Sequence, residues 1–389
     1  MIYIRKLKKM DRPIVILMLA LIVIGTIAVH GATAGTKLDG LYVNNIVLFA
    51  VFTIPTLLVA VFDYTMLMGA VAYVLYGIGL ALLLLVMFVG ENINGAVRWL
   101  SIGSFQLQPS ELSKIAAVLV AADLLHKRSG RTLRLVPDLL PIGAVFFVPT
   151  FIIMKQPDLG TALVFIGVLL AMLWMGNIRT SYMVVLLGTI AVGIATICWL
   201  YYADHDLLAK LVKPHQMSRI QTFLDPASDP DKSWHVNNAM HAIGSGGLRG
   251  DSGFYIDRGY IPYAYSDSIY VVIGEKYGFL GSSVLLLLYF LLIYRMTLIA
   301  RESRDLAGSY LVIGLAGMLV FQIFVNIGMH IGLVPLTGLS LPFISYGGSS
   351  LLVNMVSIGL VLSVHIHKDD VILDVGGHLS VEPALLEHK

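Results

Sequence analysis

The stretch IPYAYSDSIYVVIGEKYGFLGSSVLLLLYFLLIY occupies Ile261 to Tyr294. It begins as a Pro- and Tyr-rich polar loop and turns at Asp267 and Ser268 into an apolar run too long for a soluble core helix. A bilayer core of roughly 30 Å takes about 20 apolar residues as a helix. The run from 268 to 294 satisfies that length while carrying Glu275 and Lys276. It therefore reads as a membrane span with a carboxylate at its mouth and two ionisable groups inside it.

The rest of the chain agrees. Of 389 residues, 57% are hydrophobic and 13% charged, with a mean hydropathy of +0.83. A soluble domain holds about a quarter charged residues. Ten apolar runs lie near 14–34, 42–62, 66–90, 110–126, 138–154, 159–176, 181–202, 268–294, 307–331 and 346–366. The fourth is broken by Glu111, Ser113, Lys114 and Asp123. The first follows basic residues as a signal peptide would, but nine more runs succeed it, so it reads as a retained span. The expected fold is an all-α polytopic membrane protein of about ten transmembrane helices over residues 1–366. One large extracellular loop covers 203–265, and a short cytoplasmic tail covers 367–389.

Basic residues choose the orientation. Arg5, Lys6, Lys8, Lys9 and Arg12 precede span one; Lys127, Arg128, Arg131 and Arg134 separate spans four and five; Arg301 and Arg304 follow span eight. Both termini are expected in the cytoplasm, with residues 203–265 outside. Within that loop LLAKLVKPHQMSRIQTFL is amphipathic and suits a membrane surface. A net charge of +2 gives no basis for nucleic-acid binding. The lone cysteine, Cys198, excludes a disulfide framework and a cysteine metal cluster.

Ionisable groups at membrane depth usually face a bundle interior or a wet cavity. Arg98 and Trp99 in NGAVRWL, Glu111 and Lys114 in QPSELSK, Lys155 and Asp158 in KQPDLGTA, and Asp267 all fall at the loop side. Each has a structural alternative. Glu111 and Asp158 suit the first turns of helices begun by Pro109 and Pro157. Glu111 and Lys114 can pair three residues apart. Arg98 beside Trp99 can anchor at the interface. Glu275 and Lys276 read either as a buried pair or with Lys276 snorkelling. Asp267 can be a helix N-cap or a catalytic group. Glu275 lies about 12 Å along and roughly 80° round the helix from Asp267, too far for a dyad. His235, His241 and His330 lack a metal-ligand spacing. GSGGLRG at 244–250 lacks the strand-turn-helix setting of a phosphate loop, and its glycines suit tight turns. PLTGLSLPFISYGGSSLL at 335–352 reads as irregular backbone that must be buried or wet; Ser345 within it counts with the supporting residues.

The ordered series NGAVRWLSIG, LQPSELSK, KQPDLGTAL, RIQTFLDPASDP, AIGSGGLRG, SDSIYVVIGEKYG and PLTGLSLPFISYGGSS resembles the SEDS family of bacterial envelope proteins, the RodA, FtsW and SpoVE group. VFDYTMLM and INGAVRWLSIGSFQLQPSE are more similar to its RodA elongation branch. The resemblance implies a ten-helix peptidoglycan glycosyltransferase that polymerises lipid II beside a class B penicillin-binding protein and other elongation proteins. Its essential aspartate matches Asp267. Tyr265, Ser266, Ser268 and Lys276 stand where the family usually carries His, Thr, Phe and a second Glu, while Glu275 is kept.

On that basis Asp267 is the expected base for the acceptor hydroxyl. Arg98 and Lys114, with Lys155 or Arg219, are the expected cations for the pyrophosphate leaving group. Trp99 is expected to bind substrate. Glu111, Asp158, Glu275 and Ser345 are expected to support the site. No nucleotide cofactor is implied, and a divalent cation (Mg or Mn) could share the work of the cations. Two rival functions fit a ten-helix bundle: a lipid II flippase, which needs access from both sides, and a non-catalytic scaffold for the transpeptidase, which would tolerate loss of the Asp267 charge.

Overall fold

The computed structural model describes residues 6–93, 96–103, 105–226, 229–251 and 253–369. Most of the tail expected at 367–389 lies outside the described residues.

Helices occupy all ten expected positions. They are α1 (Arg12–Thr33), α2 (Leu41–Val61), α3 (Ala70–Val89), α4 (Pro109–His126), α5 (Leu140–Lys155), α6 (Leu159–Met175), α7 (Thr180–Ala203), α12 (Ile269–Arg301), α13 (Leu306–His330) and α14 (Gly348–Ile366). Eight are long and apolar enough to cross a membrane, α5 with the π turn before it. The other two have physical reasons to fall short. α6 is only 17 residues long. α4 carries charge because it is enclosed on nearly all sides, with Glu111, Lys114 and Asp123 buried. The loop after α7 folds into α8 (His205–Leu211), α9 (Pro214–Leu224), α10 (Pro230–Ser245) and α11 (Phe254–Asp257).

The centre of the bundle is α13 and α14, each 78% buried. α4 and α6 pack on α13, and α2 packs on α14. Close approach there needs small residues. A Cβ at Gly359 would stand 2.6 Å from the Thr56 carbonyl oxygen.

One element was not expected. Between α3 and α4 the chain forms a three-stranded antiparallel sheet: β1 (Glu91–Ile93), β2 (Ala96–Ile102) and β3 (Phe105–Leu107), in that order. The register sets Glu91 against Trp99 and Leu100 against Leu107. Arg98 and Trp99 thus sit on a paired strand rather than a loose loop.

A second departure lies in α12. The helix breaks at Gly278, whose φ of 62° and ψ of −156° are open to glycine almost alone. The break frees backbone groups on both sides: residues of the glycine cluster 244–250 accept from α12 N–H groups, and Asp251 beside it donates to an α12 carbonyl. Phe279 N–H donates to the Gly247 carbonyl at 2.9 Å, Leu280 N–H to Leu248 at 3.1 Å, and Asp251 N–H to Glu275 at 2.8 Å. A Cβ at Gly246 would overlap the Gly274 carbonyl, and one at Gly250 the Lys276 carbonyl. These glycines therefore serve backbone-to-backbone approach as well as turns.

Glu275 and Lys276 do not pair with each other, because neighbours in sequence point to different faces of a helix. Glu275 accepts from Tyr255 N–H at 2.6 Å and Ile256 N–H at 3.1 Å, capping α11. Lys276 donates to the Gly31 carbonyl at 2.9 Å and to Asp257 at 2.8 Å, tying α1 to the same short helix.

Candidate active site

Two chambers adjoin at the end of the bundle that carries the loop. The larger, about 500 Å³, is walled by Arg219, His235, Tyr263, Asp267, Met329 and Gly338 among others. The smaller, about 90 Å³, is walled by Arg98, Trp99, Gln108, Glu111, Asp158 and Thr161, with Gly338 and the Gly347–Ser350 turn of α14. Gly338 borders both.

Asp267 stands just before α12, with Ser268 as the helix N-cap. It is half-buried on the wall of the larger chamber, and its Oδ1 has no hydrogen-bond partner among the described residues. Burial pushes its carboxyl up to about 6. The charges of Arg98 and Arg219 and the backbone N–H groups of Asp267 and Ser268 pull the other way. Burial lowers Arg219 and also His235, which favours a neutral imidazole. His235 Nε2 lies 3.2 Å from Ser268 Oγ.

The backbone around Asp267 is clamped to the irregular segment 331–347. Asn326 Nδ2 donates both to the Asp267 carbonyl at 2.7 Å and to the Leu339 carbonyl at 2.6 Å. Ser345 Oγ donates to the Ser266 carbonyl at 2.6 Å and accepts from Leu341 N–H at 2.7 Å. Tyr346 N–H donates to the Tyr265 carbonyl at 2.9 Å. His330 Nδ1, 2.9 Å from the Asn326 carbonyl, extends the clamp into α13. A polar group repeated at four-residue spacing, Asn326 then His330, inside an apolar span was the sequence signal for this support.

At the smaller chamber Asp158 caps α6, accepting from Thr161 N–H at 3.1 Å and Thr161 Oγ1 at 2.9 Å. It also accepts from Gln108 Nε2 at 2.9 Å and lies 3.7 Å from Arg98 Nη1. Glu111 Oε1 takes a 2.8 Å bond from Lys114, and both residues are buried.

Arg98, Trp99, Glu111, Asp158, Arg219 and Asp267 are therefore brought together around two adjoining spaces. Lys114 is not: it is sealed within α4's packing and lines neither chamber. Lys155 is exposed over the Phe151 ring, 4.7 Å away, and also lines neither. Glu275 supports the loop from below. Asn326, His235 and Gln108 belong to the site without having been singled out for it. Among the described residues no group of three His, Cys, Asp or Glu side chains is arranged to hold a metal ion. Asp158 and Glu111 each have a cationic partner, Arg98 and Lys114.

A family model described as cell cycle protein, covering FtsW, RodA and SpoVE, matches residues 11–370. The chain is 36% identical over 301 residues to peptidoglycan glycosyltransferase MrdB of Escherichia coli K12, covering 76% of this chain and 77% of that one. It is 34% identical over 289 residues to stage V sporulation protein E of Bacillus subtilis, covering 73% and 75%. The rod shape determining protein RodA of Thermus thermophilus superposes with a TM-score of 0.68 at 30% identity, over 92% of this chain and 98% of that one. A chain of a peptidoglycan synthase complex, solved for its coordination of polymerization and crosslinking, superposes with a TM-score of 0.76 at 29% identity, over 93% and 99%. The motif series, the bundle and these likenesses converge: the chain belongs to the SEDS family of FtsW, RodA and SpoVE proteins.

Proposed function

We propose that the protein is a peptidoglycan glycosyltransferase that polymerises lipid II for cell elongation and shape. The observation that carries this reading is Asp267: a carboxylate on the wall of a 500 Å³ chamber, with an unpartnered oxygen and two guanidinium groups within electrostatic reach. The 4-hydroxyl of one N-acetylglucosamine attacks C1 of the other chain's N-acetylmuramic acid, and undecaprenyl pyrophosphate leaves. Asp267 takes the hydroxyl proton as the new bond forms, a contribution of roughly 10²–10⁴-fold. Arg98 and Arg219 face the charge that develops on the leaving group, where fixed cations in a dry site act most strongly. The phosphoester stores the driving energy, so no nucleotide is consumed.

Orientation follows from the charges. The basic clusters before α1, after α4 and after α12 lie at the end away from the chambers, which supports a cytoplasmic position for that end and both termini. The chambers then face outside, where the polymer is needed. Residues 1–366 act as one catalytic unit, and a class B penicillin-binding protein cross-links its product. Both chambers that hold the candidate residues sit at one end of the bundle, as chemistry at one membrane face requires.

The purified protein with its transpeptidase partner should polymerise labelled lipid II, and Asp267→Ala should lose on the order of 10²-fold or more. Polymer formation at an unchanged rate in a folded Asp267→Ala protein would sink the assignment.

A further inference from the structure

Ser268 is the N-cap of α12 and is fully buried, yet its side chain makes no cap bond to its own helix. A serine at this position ordinarily accepts from an N–H two or three residues on. Here the hydroxyl is engaged by another element: His235 Nε2 of α10 lies 3.2 Å from Ser268 Oγ. A neutral imidazole and a hydroxyl each donate and accept, so the bond forms with either ring tautomer. Ser268 stands where the SEDS family usually carries Phe, so the pairing belongs to this chain rather than to the family's common site.

This bond lies beside the proposed base, and His235 and Asp267 line the same chamber. The peptide that joins Asp267 to Ser268 is held from two sides. Its carbonyl accepts from Asn326 Nδ2 at 2.7 Å. Its N–H, that of Ser268, is one of the backbone donors that favour the ionised Asp267 carboxyl. Asn326, Ser345 and Tyr346 hold the carbonyls of residues 265–267 from α13 and the 331–347 segment. His235 holds residue 268 from α10. Without that bond the Ser268 hydroxyl is free to turn onto the N–H groups of its own helix, as a serine N-cap ordinarily does.

We propose that His235 is a positioning residue for Asp267: by occupying the Ser268 hydroxyl it keeps the Ser268 N–H on the carboxylate and so favours the form that acts as base. This rests on the glycosyltransferase reading. Among the described residues, Arg98 from β2, Arg219 from α9 and Tyr265 of the loop before α12 also lie within electrostatic reach of Asp267. His330 of α13 lies within reach of His235.

The test reads the acid limb of kcat/KM for lipid II polymerisation, in the purified protein with its transpeptidase partner. Losing a donor to the carboxylate raises its pKa, so in His235→Ala the limb should move to higher pH by about half to one unit, the worth of one hydrogen bond. Below the limb that is a rate about three- to tenfold lower. Ser268→Ala should move it equally, and the double variant no further, because the two side chains share one bond. In His235→Gln the amide nitrogen falls near the place of Nε2, and the limb should stay where it is. In His235→Asn the amide falls near Nδ1, and the limb should move as in His235→Ala. Gln carries no charge at any pH, so its rescue reports the bond rather than a lost imidazolium. A merely structural His235 would lower the rate at every pH and leave the limb in place, which overturns the proposal. Shifts that add in the double variant, or Gln and Asn variants that behave alike, also overturn it. If the Ala variants do not fold, the comparison of Gln with Asn still decides. Failure of the wild-type protein to polymerise lipid II at all would instead bring down the glycosyltransferase reading, and this one with it.

Discussion

Asp267 must be ionised to accept a proton, and its surroundings oppose ionisation. Burial lifts its carboxyl from 3.8 to about 6, so below that pH the residue is increasingly protonated and cannot act as base. Polymerisation should therefore fall as pH drops through about 6, approaching tenfold per unit below it, and stay level above it until another group titrates. A kcat/KM profile measured from pH 4.5 to 8 checks this; a profile flat across pH 5 to 7 would contradict a base with this environment. Arg219→Leu removes one of the charges that pull the carboxyl down, so its acid limb should shift to higher pH. Asp267 was legible in the sequence because it stands where a polar loop meets a long apolar run. Of its neighbours, Arg98 and Arg219 were named through the motif series and Asn326 was not. Arg219 arrives from α9, Asn326 from α13 and Arg98 from β2, so the groups that meet here are far apart in sequence. Lys114 and Lys155 show the converse: both looked available by position, but one is consumed by Glu111 and the other rests on Phe151.

The helices were legible because each needs about 20 apolar residues in a row, a signal that survives a few charges. The sheet of β1 to β3 was not, since strands of three and seven residues around turns carry too short a period. The glycines at 244–250 were visible as breakers, but what they break for depends on α12, which begins nineteen residues after Gly250. Two neighbours in this cluster separate the roles. Gly244 belongs to α10 and has nothing within 4 Å of where a Cβ would be, whereas a Cβ at Gly246 meets the Gly274 carbonyl. Gly244→Ala should leave stability unchanged or raise it by up to about 1 kcal/mol, the helix propensity difference. Gly246→Ala should cost about 1–3 kcal/mol, as overpacking does. Thermal unfolding of the two purified variants in one detergent gives opposite or clearly unequal shifts. Equal shifts would mean that the cluster does not press on the α12 break.

Across the whole molecule, packing is uneven. α13 and α14 are enclosed, while of the 24 residues of α7 only Met183 is buried. Its one substantial packing partner among the described elements is α8. Val184, Val192, Ile194 and Trp199 are each at least 59% exposed. In a membrane such side chains trade protein contact for lipid contact of the same apolar kind, so association gains them little. Truncating them leaves no cavity, since lipid closes over the site. Truncating a side chain inside α13 leaves one, because the surrounding helices relax only partly. Ala substitution at Val184, Val192 and Ile194 together should therefore leave the unfolding midpoint within measurement error in detergent. Leu315→Ala alone, at a fully buried position, should cost about 2–5 kcal/mol. The comparison also bears on the site, because α7 leads directly into α8 and α9, which carry Arg219 to the larger chamber. If the triple variant melts well below the wild-type protein, α7 rests against the bundle more closely than its exposure implies, and Arg219 is then held by that packing rather than by the loop alone.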